Sequence, residues 1–165
     1  MKLLSSSKKI KEKTFKDYVV KNKNSFYRIA YNYVKNEDDA LDIVQESILK
    51  GLSKIDKLDN VDSIKPWFYR ILINSSIDYI RKNKKYIPIQ DELSVSSFVE
   101  YDIDTDIDIQ NALDNLSNDY KAVIMLRYFE DMKIADIANI LDENINTVKT
   151  RLYKALKLLK IKIEE

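Results

Sequence analysis

Along the first half of the chain, apolar residues return every three or four positions. Phe26, Ile29, Ala30 and Tyr33 do so, which is the spacing of one helix face. Asn36-Glu37-Asp38-Asp39 follows, a turn whose carboxylates enter the next helix where its dipole favours negative charge. That helix, about Asp38 to Leu52, is predicted to bury Leu41, Val44, Ile48 and Leu52, with Gly51 at a late-helix or cap position. Residues 53–64 read as a loop. Pro66 suits the first turn of a third helix, where its missing N–H costs little. On that helix Phe68, Tyr69, Leu72, Ile73, Tyr79 and Ile80 share one broad face. Arg70, Asn74, Asp78 and Arg81 lie opposite, and Trp67 falls where the two faces meet.

The pattern then breaks. Residues 87–109 are acidic and Ser-rich. Their alternation "DIDTDIDI" has the period of a strand, yet no partner strand is visible elsewhere, and an EF-hand would need a Gly and a closing Glu that are missing. From Gln110 helical spacing resumes: a short helix, then Ser117 or Asn118 as N-cap of a buried one. Ile134, Ile137, Ala138 and Leu141 make a short amphipathic helix. Val148, Leu152, Ala155, Leu156 and Leu159 make the stripe of a longer one. The predicted fold is all-α: two small helical domains, 1–86 and 110–165, joined by an acidic linker, 87–109.

Composition narrows the chemistry. The 165 residues include no Cys, no His and one Gly. Without them there is no disulfide, no thiolate or imidazole metal site, and no glycine-rich phosphate loop. No metal, cofactor or catalytic residue is expected. No apolar run reaches membrane-spanning length, and the N-terminus lacks the apolar core of a secretory signal; a cytoplasmic protein is expected. The net charge of +1 hides three blocks. Residues 1–85 carry 19 basic and 11 acidic side chains, 86–109 carry 7 acidic and no basic, and 110–165 are balanced.

The sharpest motif lies near the C-terminus. A small residue, Ala138, a short polar turn, Asp142-Glu143-Asn144, and the branched Val148 form a helix-turn-helix pattern. Asn144 is a good N-cap. The second helix carries Lys149, Arg151, Lys154, Lys157, Lys160 and Lys162 and no acidic residue through Ile163, the one-signed surface that phosphate binding needs. Asn146, Thr147, Lys149, Thr150, Arg151, Tyr153 and Lys154 are placed to reach base edges or backbone. Two positions depart from the usual pattern: Asp142 stands where Gly is common, and Glu143 where an apolar residue is. Asp tolerates the left-handed backbone better than most residues.

The third helix raises a second nucleic-acid question. Trp67 sits beside Arg70 and Asn74 on a helix that runs into "RKNKK". That suits stacking on a base, and it equally suits packing against the preceding loop.

Four stretches in order resemble the bacterial sigma-70 family, in its small extracytoplasmic-function (ECF) type with regions 2 and 4 and no region 3. "FYRIAYNYVKNEDDALDIVQESILKGL" is similar to regions 2.1 and 2.2. "WFYRILINSSIDYIRKNKK" is similar to regions 2.3 and 2.4. "ALDNLSNDYKAVIMLRYFEDMKIADIANIL" is similar to region 4.1 and the first helix of the motif. "NTVKTRLYKALKLL" is similar to the recognition helix of region 4.2. Within the family the chain looks most like the sigma V type, linked to cell-envelope or lysozyme stress.

The resemblance implies an initiation factor without enzymatic activity. Region 2 would dock on the β′ clamp helices of core RNA polymerase through Asp42, Gln45 and Glu46, and region 4 would meet the β flap. Trp67, Arg70, Asn74, Asp78 and Arg81 would line the −10 element of promoter DNA, with Lys82, Lys84 and Lys85 on phosphate. A flipped base would be held by the loop around Ser53 to Ile64. The −35 element would be read by the face from Asn146 to Lys154. The linker would lie in a basic channel of the polymerase or shield the free factor. A membrane-bound anti-sigma protein is implied as a further partner, and no small-molecule substrate. Two other readings compete: a stand-alone helix-turn-helix regulator, and, remotely, a metal enzyme using Asp102, Asp104, Asp106 and Asp108.

Overall fold

The computed structural model describes residues 2–83 and 105–164, with side chains described for 6–83 and 110–160. Every regular element among them is helical. In order they are α1 (Lys2–Val34), α2 (Glu37–Ser53), two 3-10 turns (Ile55–Lys57 and Val61–Ser63), α3 (Ile64–Asn83), α4 (Thr105–Asp114), α5 (Asn118–Ile124), a π-helical turn (Met125–Phe129), α6 (Ile134–Leu141) and α7 (Ile145–Glu164). The chain gathers into two compact units.

In the first unit α1, α2 and α3 pack around aromatic rings. Phe15, Phe26, Phe68 and Tyr69 are all buried. Phe26 and Phe68 lie 4.6 Å apart, Phe15 and Phe68 5.4 Å, and Phe26 and Tyr69 5.6 Å, all tilted or edge-on. Edge-on rings suit the aromatic quadrupole, and each such pair adds about 0.5–1.5 kcal/mol beyond burial. Helix α1 starts far upstream of the periodic stretch. Residues 2–13 lack a clear apolar stripe but are rich in Lys, Leu and Glu, which favour helix. Phe15, in this upstream part, is a core residue that the apolar spacing did not mark.

Helix α2 corrects the expected inner face. Its buried residues are Ala40, Ile43, Val44, Ser47 and Gly51. Leu41 is 51% exposed, while Ile48 and Leu52 are half-buried. Val44 faces inward as expected and Ile43 joins it; the rest of the seam is the small Ala40, Ser47 and Gly51, which let helices approach closely, so the other large aliphatics misplace the face by about one position. Gly51 takes the late-helix alternative, in the last turn of α2, and Lys54 is the C-cap. The buried serines satisfy themselves: Ser47 Oγ donates to the Ile43 carbonyl at 2.7 Å, and Ser76 Oγ to that of Leu72 at 2.8 Å. Asn36 caps α2 by accepting from the Asp39 N–H at 2.9 Å.

The segment 53–64 holds two short turns, anchored by the buried Ile55 and Leu58. Pro66 lies in the first turn of α3. Phe68, Tyr69, Leu72 and Ile73 face inward as expected, joined by Ser75 and Ser76, whereas Tyr79 and Ile80 are half-buried.

In the second unit, Leu113, Leu116, Ile124 and Ala155 form an apolar cluster, with Tyr120, Leu152 and Leu159 against it. Ser117 is the N-cap of α5, accepting from the Tyr120 N–H at 3.4 Å. Two differences stand out. Leu156, placed on the inner stripe by spacing, is 39% exposed, because the stripe centres on its neighbour Ala155. Helix α4 begins at Thr105, inside the stretch read as linker. Asp106 and Asp108 therefore fall within α4. Residues 84–104 lie outside the described residues, and with them Asp102, Asp104 and most of the proposed linker.

Candidate nucleic-acid interface

Helix α3 turns one face to the core and leaves the other open. Arg70, Asn74, Asp78, Arg81 and Lys82 are all exposed. Lys84 and Lys85 lie outside the described residues. Trp67 is half-buried, and its ring stands 5.8 Å from that of Phe15 at 81°. It therefore packs on the core while keeping part of its surface open. Tyr79, beside the polar stripe, makes a contact that sequence spacing does not reveal. Its hydroxyl faces Asp39 in the first turn of α2, and hydrogen bonding with that carboxylate above all holds the phenol's pKa above the ordinary 10.0. The bond joins the −10 candidate helix to the start of α2.

The outer face of α2 brings Asp42, Gln45 and Glu46 together, all exposed. Leu41, expected inside, joins them, and Leu49 on the same helix is 68% exposed. Glu46 pairs with Lys50 at 3.1 Å. Lys50 in turn donates to Ser75 Oγ of α3 at 3.1 Å. An apolar residue within an acidic and amide face suits docking on a basic helix better than the polar residues would alone.

The helix-turn-helix closes as its sequence demands, through an unusual residue. Asp142 adopts φ 54°, the left-handed region. The Glu143 N–H then donates to the Ala138 carbonyl at 2.9 Å, which is the Schellman closure of a helix end. Asn144 caps α7 by accepting from the Asn146 N–H at 2.7 Å. Past this cap, Asn146, Lys149, Thr150, Tyr153 and Lys154 are exposed and Thr147 is half-buried. Arg151 differs from its neighbours. Its Nη2 lies 3.0 Å from Glu143 Oε1 and 3.9 Å from Asp119 Oδ2. A groove runs here between the start of α5 and α7, lined by Ser117, Asp119, Tyr120, Asn146, Thr147, Thr150, Arg151 and Lys154.

Comparison with known families agrees with this architecture. Residues 18–86 match sigma-70 region 2, and residues 106–159 match sigma-70 region 4. The chain belongs to the sigma-70 family of RNA polymerase sigma factors, in the extracytoplasmic-function group, whose members bind core RNA polymerase and direct promoter-specific initiation. It is 51% identical over 146 residues to the RNA polymerase sigma factor SigV of Bacillus subtilis (strain 168), covering 88% of each chain. It is 26% identical over 180 residues to the ECF sigma factor SigW of the same organism, covering 99% of this chain and 96% of the other. Among solved structures it resembles the sigma factor RpoE of Bartonella quintana, determined with the anti-sigma factor NepR. That likeness has a TM-score of 0.74 and 25% identity, over 91% of this chain and 96% of that one.

Proposed function

We propose a division of labour among three helices. Residues 1–86 form the region 2 domain, the acidic stretch from 87 up to α4 the linker, and the chain from α4 (Thr105) to 165 the region 4 domain. Helix α2 docks on the β′ clamp helices through Asp42, Gln45 and Glu46, with Leu41 adding apolar contact. Helix α3 meets the −10 element through Arg70, Asn74, Asp78 and Arg81, with Trp67 at its edge and Lys82, Lys84 and Lys85 on phosphate. Helix α7 reads the −35 element through Asn146, Thr147, Lys149, Thr150, Tyr153 and Lys154, while the region 4 domain meets the β flap. The observation that carries this is the two-sidedness of α3: its inner face completes the core, while its charged and amide side chains stand exposed in one stripe.

The proposed factor works without catalysis of its own. Flipping a base needs only binding energy set against unstacking, and the loop from Ser53 to Ile64 is the proposed seat. No helix among the described residues is long and apolar enough to cross a membrane; membership of a polymerase-binding sigma family supports a cytoplasmic factor that joins the nucleoid when active. The solved relative with NepR supports control by an anti-sigma protein; a membrane-bound one is proposed for this chain. The likeness to SigV supports a role in an envelope or lysozyme stress response.

The test is transcription in vitro by core polymerase with this chain over a randomised promoter library. Selected promoters with paired −10 and −35 preferences are the expected result. Sequence-specific binding by the chain alone, with no association to core polymerase, would instead identify a stand-alone regulator.

A further inference from the structure

We propose that Arg151 holds the recognition helix in place instead of reading a −35 base, and that it does so through Glu143 and Asp119. The proposal rests on the reading of α7 as the −35 helix. A Schellman closure is commonly locked by an apolar contact between the residue after the left-handed position and the end of the helix. Here that residue is Glu143, which cannot make such a contact. Its carboxylate instead takes Arg151, eight residues on, at 3.0 Å. The same nitrogen lies 3.9 Å from Asp119 in the first turn of α5. One guanidinium thus ties together the turn, α7 and α5. Arg suits this role, because its charge is permanent and weakly hydrated, which favours a partly buried ion pair.

Exposure separates Arg151 from its neighbours. Its side chain is 22% exposed, whereas Tyr153 is 70% exposed. Charge gives a second reason. Glu143 and Asp119 stand beside the face offered to DNA, where bare carboxylates would repel phosphates. Arg151 offsets that charge only while it stays paired. Turning away to hydrogen-bond a base would leave both carboxylates facing the DNA backbone.

The experiment uses holoenzyme, assembled from core polymerase and the full chain, on a library randomised in the −35 element. Two variants are compared with the unmodified protein: Arg151→Leu, and Arg151→Leu combined with Glu143→Leu. The double change keeps the net charge and supplies the apolar contact. Arg151→Leu is expected to weaken binding to every −35 sequence by one common factor, about five-fold, as for a partly buried ion pair worth ~1 kcal/mol. The double variant is expected to recover most of that loss with unchanged base preferences. Relaxed preference at a single −35 position in either variant, or a double variant no tighter than the single, overturns the proposal. If Arg151→Leu alone does not fold, the double variant decides by its base preferences. An unmodified factor with no −35 preference would instead remove the underlying reading of α7, and the unmodified protein alone shows that outcome.

Discussion

The ring of Phe15 lies so close to the backbone of Gly51 that a Cβ added there would stand 2.7 Å from Cζ. A Gly within a helix costs up to roughly 0.5–1 kcal/mol against Ala, so this contact explains its presence in the last turn of α2. Phe15 has little room to yield, because Trp67 stands 5.8 Å and Phe68 5.4 Å from its ring. Overpacking costs about 1–3 kcal/mol and outweighs the gain in helix propensity. Gly51→Ala is therefore expected to lower the stability of the chain by about 1 kcal/mol in urea unfolding. Combined with Phe15→Leu, the two losses should add to less than their sum, because the clash is shared.

Trp67 belongs to the same aromatic group. Truncation to Ala removes its edge contact with Phe15 and part of its burial, and is expected to cost ~1–3 kcal/mol in denaturant unfolding. Promoter opening should fall with it. A variant that opens promoters poorly while keeping full stability would make the ring a DNA contact alone.

The Tyr79–Asp39 bond predicts a pH dependence. The bond raises the phenol's pKa in the folded chain above 10.0. A raised folded pKa contributes stability that is complete below the unfolded pKa and is lost as pH rises through the folded one. Tyr79→Phe is expected to lower stability by several tenths of a kcal/mol near neutral pH, a small value because the bond is partly screened. The gap between variant and parent should hold to about pH 10 and close above the folded pKa. A constant gap across the alkaline range would show that the hydroxyl bond is not its source.

Particular residues show what the sequence could and could not convey. The exposed stripe of α3 follows from helical periodicity alone, since four polar residues recur opposite Phe68 and Leu72. The turn after α6 was readable because Asp and Asn have strong local preferences. The face of α2 was legible only at Val44, because three of its five buried positions, Ala40, Ser47 and Gly51, carry little hydrophobic signal. Phe15 escaped for a related reason: one ring among lysines makes no stripe. The Arg151–Glu143 pair and the Tyr79–Asp39 bond join residues 8 and 40 positions apart, and their partners are fixed by packing. Glu143 nonetheless left a trace, as the charged residue where the motif favours an apolar one.

The outer face of α2 should carry polymerase binding separately from stability. Asp42→Lys and Leu41→Lys alter exposed side chains, so unfolding free energies in urea should stay within about 0.5 kcal/mol of the parent. Affinity for core polymerase is expected to drop at least about ten-fold for Asp42→Lys, the scale of reversing an interfacial charge. Glu46→Lys should show a similar loss of affinity, together with a small loss of stability from its 3.1 Å pair with Lys50. Unchanged polymerase binding in all three variants would move the docking face elsewhere.

On α7, two kinds of substitution should separate positioning from reading. Lys149 and Lys154 are exposed cations on the proposed DNA face. Replacing either with Gln is expected to weaken holoenzyme binding equally for all −35 sequences. Each change should also reduce the slope of log affinity against log salt by about 1, because one phosphate contact is lost. Asn146→Ala and Thr150→Ala remove groups that can hydrogen-bond base edges. Each is expected to erase preference at one −35 position, worth about 1–3 kcal/mol of discrimination, while leaving the salt slope unchanged. A lysine variant that changes base preference without changing the salt slope would exchange these roles. Binding profiles measured at several salt concentrations distinguish the two outcomes, because counterion release depends on phosphate contacts and base reading does not.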